Sequence, residues 1–456
     1  MFQNKIKTCL QFLFLTLVGS ALGPSDLLAV GPSVRIEMER ATHQKVKVAL
    51  TQFVLDKKSR DPAGLGEDAR KILENDLRLS ELFMTVAPSV YEDLEQKDRE
   101  SGEVDFWAWH QVGVQWLIKT DYQVIRGEKL KLTFRLYDMI SELRLLGKVY
   151  TSSKNLMRKS IHRFADELVL QLTGKRGVAE TELVFLSDEN GSREVFVTDF
   201  DGHNQTQLTR DHTLNLTPIW SPDGKWIVYT SYGANNPDLV MIDAKGKKSK
   251  RTLLRLPGLN AAPAWSPVGT RLALVLSRDR NPEIYLLEKN RRLKRLTRHF
   301  NIDTSPTWSP DGRRIAFTSD RSGTGAPQIY IMNVDQGDRG AVERISFGSS
   351  HNDNPAWSPD GDKIAYTSRI GKRFQIKIYD LNTKKTTAFT KSPGNNEQPT
   401  WSPDGRFIAY RHKEGAEPHI YIQRLGSDRA RQLSFRPGGG SSPDWSPYPM
   451  KKKKEG

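Results

Sequence analysis

Serine and aspartate recur in this chain at a fixed spacing that could supply a nucleophile or a metal-binding carboxylate. Ser-Pro-Asp-Gly begins at Ser221, Ser309, Ser358 and Ser402. It ends a longer phrase, Pro-x-Trp-Ser-Pro, written six times, with Trp220, Trp265, Trp308, Trp357, Trp401 and Trp445 spaced 43 to 49 residues apart. Pro presets φ and Gly supplies a positive φ without steric cost, so the tetrapeptide is tight-turn chemistry. A turn used once per repeat needs no catalysis to explain it. Asp199-Phe200-Asp201-Gly202 opens like a calcium loop, but Arg210 stands at the twelfth position, where such a loop needs a bidentate Glu. No Gly-x-Ser-x-Gly elbow and no Gly-rich phosphate loop is present. His110 has no metal-spaced partner and His162 falls on an apolar helical stripe, so both read as structural. The single cysteine, Cys9, lies in an apolar leader and excludes thiol chemistry in the processed chain. These residues point to a protein that is not an enzyme and needs no cofactor or metal.

The elements around the phrase are short alternating strands. Each Ser-Pro turn is followed by one, such as Trp226–Tyr229 or Phe407–Tyr410, and each interval carries two more strand signals. A period of about 40–45 residues built of strands is the signature of propeller blades. Residues 183–209 supply three strands with no Trp strand before them, and Trp445 has none after it. Closing the ring by pairing the two predicts a six-bladed β-propeller over residues 178–448. The tryptophans are expected to pack between blades.

Residues 31–175 follow a different pattern. Strand-like stretches at 34–39, 45–50, 115–118, 130–138 and 143–151 alternate with a helical spacing over 67–79 and a closing helix that ends at Gly174. The expected fold is therefore multi-domain: a small α/β N-terminal domain, then the all-β propeller. Residues 1–30 read as a secretory signal, with Lys5 and Lys7 before an apolar core and small residues after it. No later run is apolar enough to span a membrane, and residues 449–456 form a basic tail including Lys451–Lys454. The net charge of +15 favours an acidic partner, yet no nucleic-acid-reading motif appears.

Antiparallel blades sort the loops by face. The Ser-Pro-Asp-Gly turns lie on one face. The opposite face carries polar and basic loops, among them Arg193, Arg278, Arg321, Arg373 and Lys413, with Asn215, Asn260, Asp303, Thr304, His351, Asn354, Asn395 and Asn396 between blades. Loops gathered on a rigid scaffold are the natural binding surface.

The order of parts, the junction Leu172–Gly177, the stretch Val197–Gln205 and the ending Trp445-Ser446-Pro447-Tyr448 resemble the TolB family of the Gram-negative Tol-Pal system. The resemblance implies a monomeric, non-enzymatic periplasmic adaptor that supports outer-membrane integrity and constriction at division. Its propeller loop face, here Asn215, Leu259, Asn260, Thr304, Ser305, His351, Asn354, Asn396, Arg278, Arg321 and Arg373, would bind the lipoprotein Pal. Its mature N-terminal segment, here Val34, Arg35, Ile36, Glu37, Met38 and Glu39, would bind TolA by strand addition; other outer-membrane proteins are further candidates. The chain departs from the family pattern at Leu259 and Ser305, where a histidine and a glutamate can occur. The alternatives are a metal-dependent hydrolase or lactonase propeller with acidic and imidazole groups converging on the channel, and a periplasmic ligand-binding propeller.

Overall fold

The computed structural model describes residues 45–61, 63–125, 129–189, 191–246, 250–323 and 325–450. The leader, the 34–39 segment and the Lys451–Lys454 tail lie outside them.

The N-terminal domain is one five-stranded sheet with helices. In chain order it runs β1 (Val46–Leu55), α1 (Leu65–Leu79), β2 (Phe83–Thr85), α2 (Glu92–Ser101), α3 (Phe106–Gln111), β3 (Trp116–Ile125), β4 (Lys129–Asp138), β5 (Leu143–Ser153) and α4 (Met157–Thr173). The sheet order is β2-β1-β3-β4-β5, parallel at β1–β2 and β1–β3 and antiparallel thereafter. The apolar stripes of α1 and α4 face the sheet: Leu73 and Leu77 join Ile161, Phe164 and Leu168 in one core with Leu132 and Phe134. Helix α4 stops at Gly174, whose φ of 72° is the left-handed cap position that glycine fills at no cost. Helices α2 and α3 give no clear apolar period; α2 is charged all round and is tied down by Trp109 Nε1, which donates to Asp98 Oδ2 at 3.0 Å.

The propeller has six four-stranded sheets. Five are continuous in sequence. The sixth has the order Ser441–Trp445, Glu182–Glu189, Ser192–Asp199, Thr206–Gln207, so both ends of the domain meet in one blade. The turn chemistry shows how. In the first sequential blade Ser221 N–H donates to Trp226 O at 2.8 Å, and Ser221 Oγ accepts from Trp226 N–H at 3.0 Å. Ser266, Ser309, Ser358 and Ser402 repeat this pair of bonds five residues onward. Ser446 makes the same two bonds, both 2.9 Å, with Glu182. The motif serine therefore holds the turn in five blades and the ring in the sixth.

The repeated tryptophans fill the gaps between blades. Trp308 packs on Ala273, Ile284 and Leu286 of the preceding sheet, and Trp401 on Ala365, Ile376 and Ile378. Trp308 and Trp401 also donate Nε1–H to Ala264 O and Ala356 O of that neighbour, each at 2.9 Å. Such burial stabilises each interface by roughly 4–6 kcal/mol as an upper bound.

Candidate functional site

Each inner strand carries one irregularity, and together these shape the channel. The residue before the first proline of the phrase has a left-handed backbone in all six blades: Thr217 (φ 46°), Ala262 (45°), Ser305 (51°), Asn354 (50°), Gln398 (57°) and Ser442 (49°). The ladder slips at the same place in every inner strand. The pre-proline position disfavours the right-handed helical region, and the left-handed backbone adopted at the bulge costs of order 1–3 kcal/mol for each of these non-glycine residues. This strained ring is the waist of the channel. Thr217, Asn354, Gln398 and Ser442 line the cavities on both sides of it.

On the Ser-Pro side lies a cavity of ≈ 490 Å³ walled by the repeated phrase itself. Among the described residues of that wall, Asp444 alone carries an ionisable acid. Its carboxylate accepts from Trp220 N–H at 2.8 Å and Thr400 Oγ1–H at 3.3 Å, in the two flanking blades. Burial behind these bonds pushes its pKa up to about 7, although the residue touches channel solvent. Converging Asp, Glu and His groups, which the hydrolase alternative anticipates in the channel, do not line this wall.

On the other side the channel opens into a funnel of ≈ 860 Å³. Its wall is charged and does not repeat from blade to blade. Asp188 and Arg193 face each other across one hairpin at 3.6 Å. Glu397 and Arg411 are direct cross-strand partners and form an ion pair. Lys413 and Glu417 complete the rim, with Phe374 held by a hydrogen bond of 3.0 Å from its N–H to Asn395 Oδ1.

The structure distributes the sequence-predicted residues unevenly. Of those named for this face, Arg193, Asn354, Asn395 and Lys413 line the funnel. His351 stands beside it with its ring edge-on to Phe374 at 5.3 Å. Arg278 and Arg373 are exposed, and Leu259, Thr304 and Ser305 are half-buried. Asn215, Asn260 and Asn396 are corrected: all three are 0 % exposed, so their side chains are closed to a partner. Asn215 Nδ2 donates to Arg193 O at 2.8 Å, Asn260 Nδ2 to Pro237 O and Leu256 O, and Asn396 Nδ2 to Gln375 Oε1. They fasten three of the inner strands to the preceding blade, Asn215 and Asn396 through its strands and Asn260 through the loops around it. Arg321 is corrected likewise. Its guanidinium pairs at 2.9 Å with fully buried Asp303 and stacks 4.9 Å over Phe317. His110 is exposed at the end of α3, whereas His162 is buried and its Nδ1 is 2.7 Å from Asp76 Oδ2. Asp199–Gly202 is a strand-end turn, as its residues suggest.

Two neighbouring segments join the domains on the Ser-Pro side. Arg163 and Arg176 of α4 and the linker both bind Glu180, at 2.6 and 2.5 Å. Tyr448 donates its hydroxyl to Arg176 O at 3.0 Å, and Lys175 pairs with Asp360 of a Ser-Pro-Asp-Gly turn at 2.9 Å.

A small α/β domain leading into a six-bladed propeller closed by its own C-terminal strand defines the class. Residues 34–145 match the TolB amino-terminal domain and residues 169–449 the TolB β-propeller domain. The chain belongs to the TolB family. It is 35% identical over 219 residues to the Tol-Pal system protein TolB of Desulfosudis oleivorans, covering 47% of this chain and 49% of that one. It is 38% identical over 165 residues to the protein of that name from Geobacter sulfurreducens, covering 36% and 38%. These alignments span about half or less of the relatives' length. The crystal structure of TolB from Acinetobacter baumannii superposes with a TM-score of 0.74 at 26% identity, covering 89% of this chain and 97% of that one. Among the described residues no helix is long and apolar enough to cross a membrane.

Proposed function

We propose that this protein is a non-enzymatic periplasmic adaptor of the Tol-Pal system, with Pal bound at the propeller funnel and TolA at residues 34–39. The observation that carries the reading is the funnel. A ring closed on itself holds a charged, concave and non-repeating surface at one end of its channel, made by the ends of strands and the hairpins that join them. Such a surface suits protein recognition, because fixed charges select a partner and steer its approach. An extended N-terminal segment adds a second, separable contact by strand addition. Two partners on one chain couple when one changes the other's affinity, and that coupling is reciprocal. A protein tied in this way to both membranes would support outer-membrane integrity and constriction at division.

Calorimetry with the soluble Pal domain of the same genome, at two salt concentrations, tests the reading. Saturable binding that weakens with salt supports it. No heat at either salt would move the function to another ligand of the funnel.

A further inference from the structure

We propose that the seam between the α/β domain and the propeller holds one divalent transition-metal ion, bound by His162 and Asp201 with Asp76 behind them. Asp76 comes from α1 and His162 from α4, while Asp201 lies in a turn of the closing blade. One donor atom of each lies within 4.8 Å of the others. The site is dry: the side chains of His162, Asp76 and Asp201 are 5%, 0% and 1% exposed.

Two buried atoms in it lack a partner among the described residues, His162 Nε2 and Asp76 Oδ1. In the neutral ring that donates Nδ1–H to Asp76 Oδ2, 2.7 Å away, Nε2 presents a lone pair to a metal ion, which would displace a proton held there. A buried acceptor left empty is costly, and here it neighbours a carboxylate. A histidine whose far nitrogen is oriented by a carboxylate is how proteins prepare imidazole for a metal. A further donor is close: His203 Nδ1 is 3.2 Å from Asp201 Oδ1, on a ring that is 62% exposed and has room to turn. Imidazoles mixed with carboxylates suit zinc or its neighbours better than calcium or magnesium.

The cations already present define the competition. Arg158 pairs with Asp201 Oδ2. Arg431 is committed elsewhere: it donates to Phe200 O at 3.1 Å and stacks on that ring at 4.8 Å. An ion would therefore meet Asp201 through Oδ1 and share the carboxylate with Arg158. It would tie α1 and α4 directly to the propeller.

The chain without its leader, stripped with a chelator, is titrated with Zn²⁺ by calorimetry and with Co²⁺ by visible absorption. The expected result is one ion per chain, a tetrahedral Co²⁺ spectrum and a raised melting temperature with Zn²⁺. Asp201→Asn and His162→Gln should abolish all three, and Asp76→Asn should weaken binding about 10–100-fold. Arg158→Gln should tighten it by removing the competitor. If His162→Gln does not fold, Asp201→Asn, in a turn, decides. No uptake, or uptake that Asp201→Asn leaves unchanged, overturns the proposal, the second outcome meaning an adventitious ion only.

Discussion

Deleting residues 441–456 removes the inner strand of the closing blade and should open the ring. The cost follows from what Trp445 and Ser446 hold together. Trp445 is 6% exposed and packs on Phe407, Ile420 and Ile422 of one sheet and Leu183 and Phe185 of its own. Its burial contributes roughly 4–6 kcal/mol as an upper bound. Three hydrogen bonds go with it: Trp445 Nε1–H to Thr181 Oγ1 at 2.8 Å, Ser446 N–H to Glu182 O and Glu182 N–H to Ser446 Oγ, both at 2.9 Å. At about 1 kcal/mol each they bring the loss to roughly 7–9 kcal/mol. That rivals the whole stability of a typical domain, about 5–15 kcal/mol, so the truncated propeller should not unfold as one cooperative unit. Point variants grade the effect: Trp445→Ala should cost about 3–5 kcal/mol and Ser446→Ala about 1–2 kcal/mol. Urea unfolding followed by tryptophan fluorescence measures all three. A truncated chain that melts with the midpoint and slope of the intact one would refute the closure.

Two further predictions concern buried charge. Asp444 has a folded-state pKa of about 7 against an ordinary 3.8, so folding takes up a proton. The stability this brings is fully present below the unfolded pKa and is lost as the pH rises through 7. Asp444→Asn, which keeps an acceptor for Trp220 N–H, should therefore gain about 1–2 kcal/mol on wild type between pH 5 and 8, discounted for channel water. A stability difference constant across that range would contradict the assignment. Arg321→Ala leaves Asp303 buried without its cation and should cost about 3–5 kcal/mol, whereas Arg373→Ala at the exposed hairpin should stay within about 0.5 kcal/mol. Equal melting temperatures for the two variants would show that the Asp303 pair is not structural.

The fold was legible because one phrase carries three kinds of information at once. Its turn residues mark the hairpin, its tryptophan marks the blade interface, and its count marks the ring. Helices α2 and α3 were not legible, since a charged helix such as α2 is held by a tertiary contact, Trp109 to Asp98, which no local pattern announces. The binding face was legible as a face and only partly by residue: Arg193, Asn354, Asn395 and Lys413 line the funnel, while others named with them are buried. Asn215, Asn260 and Asn396 looked like polar loop positions, and Asp303 and Asn352 are their counterparts in the other blades. All stand three residues before the first proline of the phrase, and Gly440 takes that place in the sixth copy. A polar residue at a constant offset in a repeat is a structural part, as the motif serine is, and that signal could have been used. The funnel offers the opposite case. Asp188, Arg193, Glu397, Arg411 and Lys413 share no offset, and closure of the ring brings the 188–193 hairpin beside the 411–418 loop.

The central claim is tested most directly by where the partner binds. Titration of the soluble Pal domain into wild type, an Arg411→Glu/Lys413→Glu double variant and Asp360→Lys on the opposite face compares the two ends of the channel in one experiment. The account predicts that the funnel variant loses at least tenfold in affinity, about 1.4 kcal/mol, while Asp360→Lys binds as wild type does. Loss of binding in Asp360→Lys with an unaffected funnel variant would place the partner on the Ser-Pro side and contradict the account.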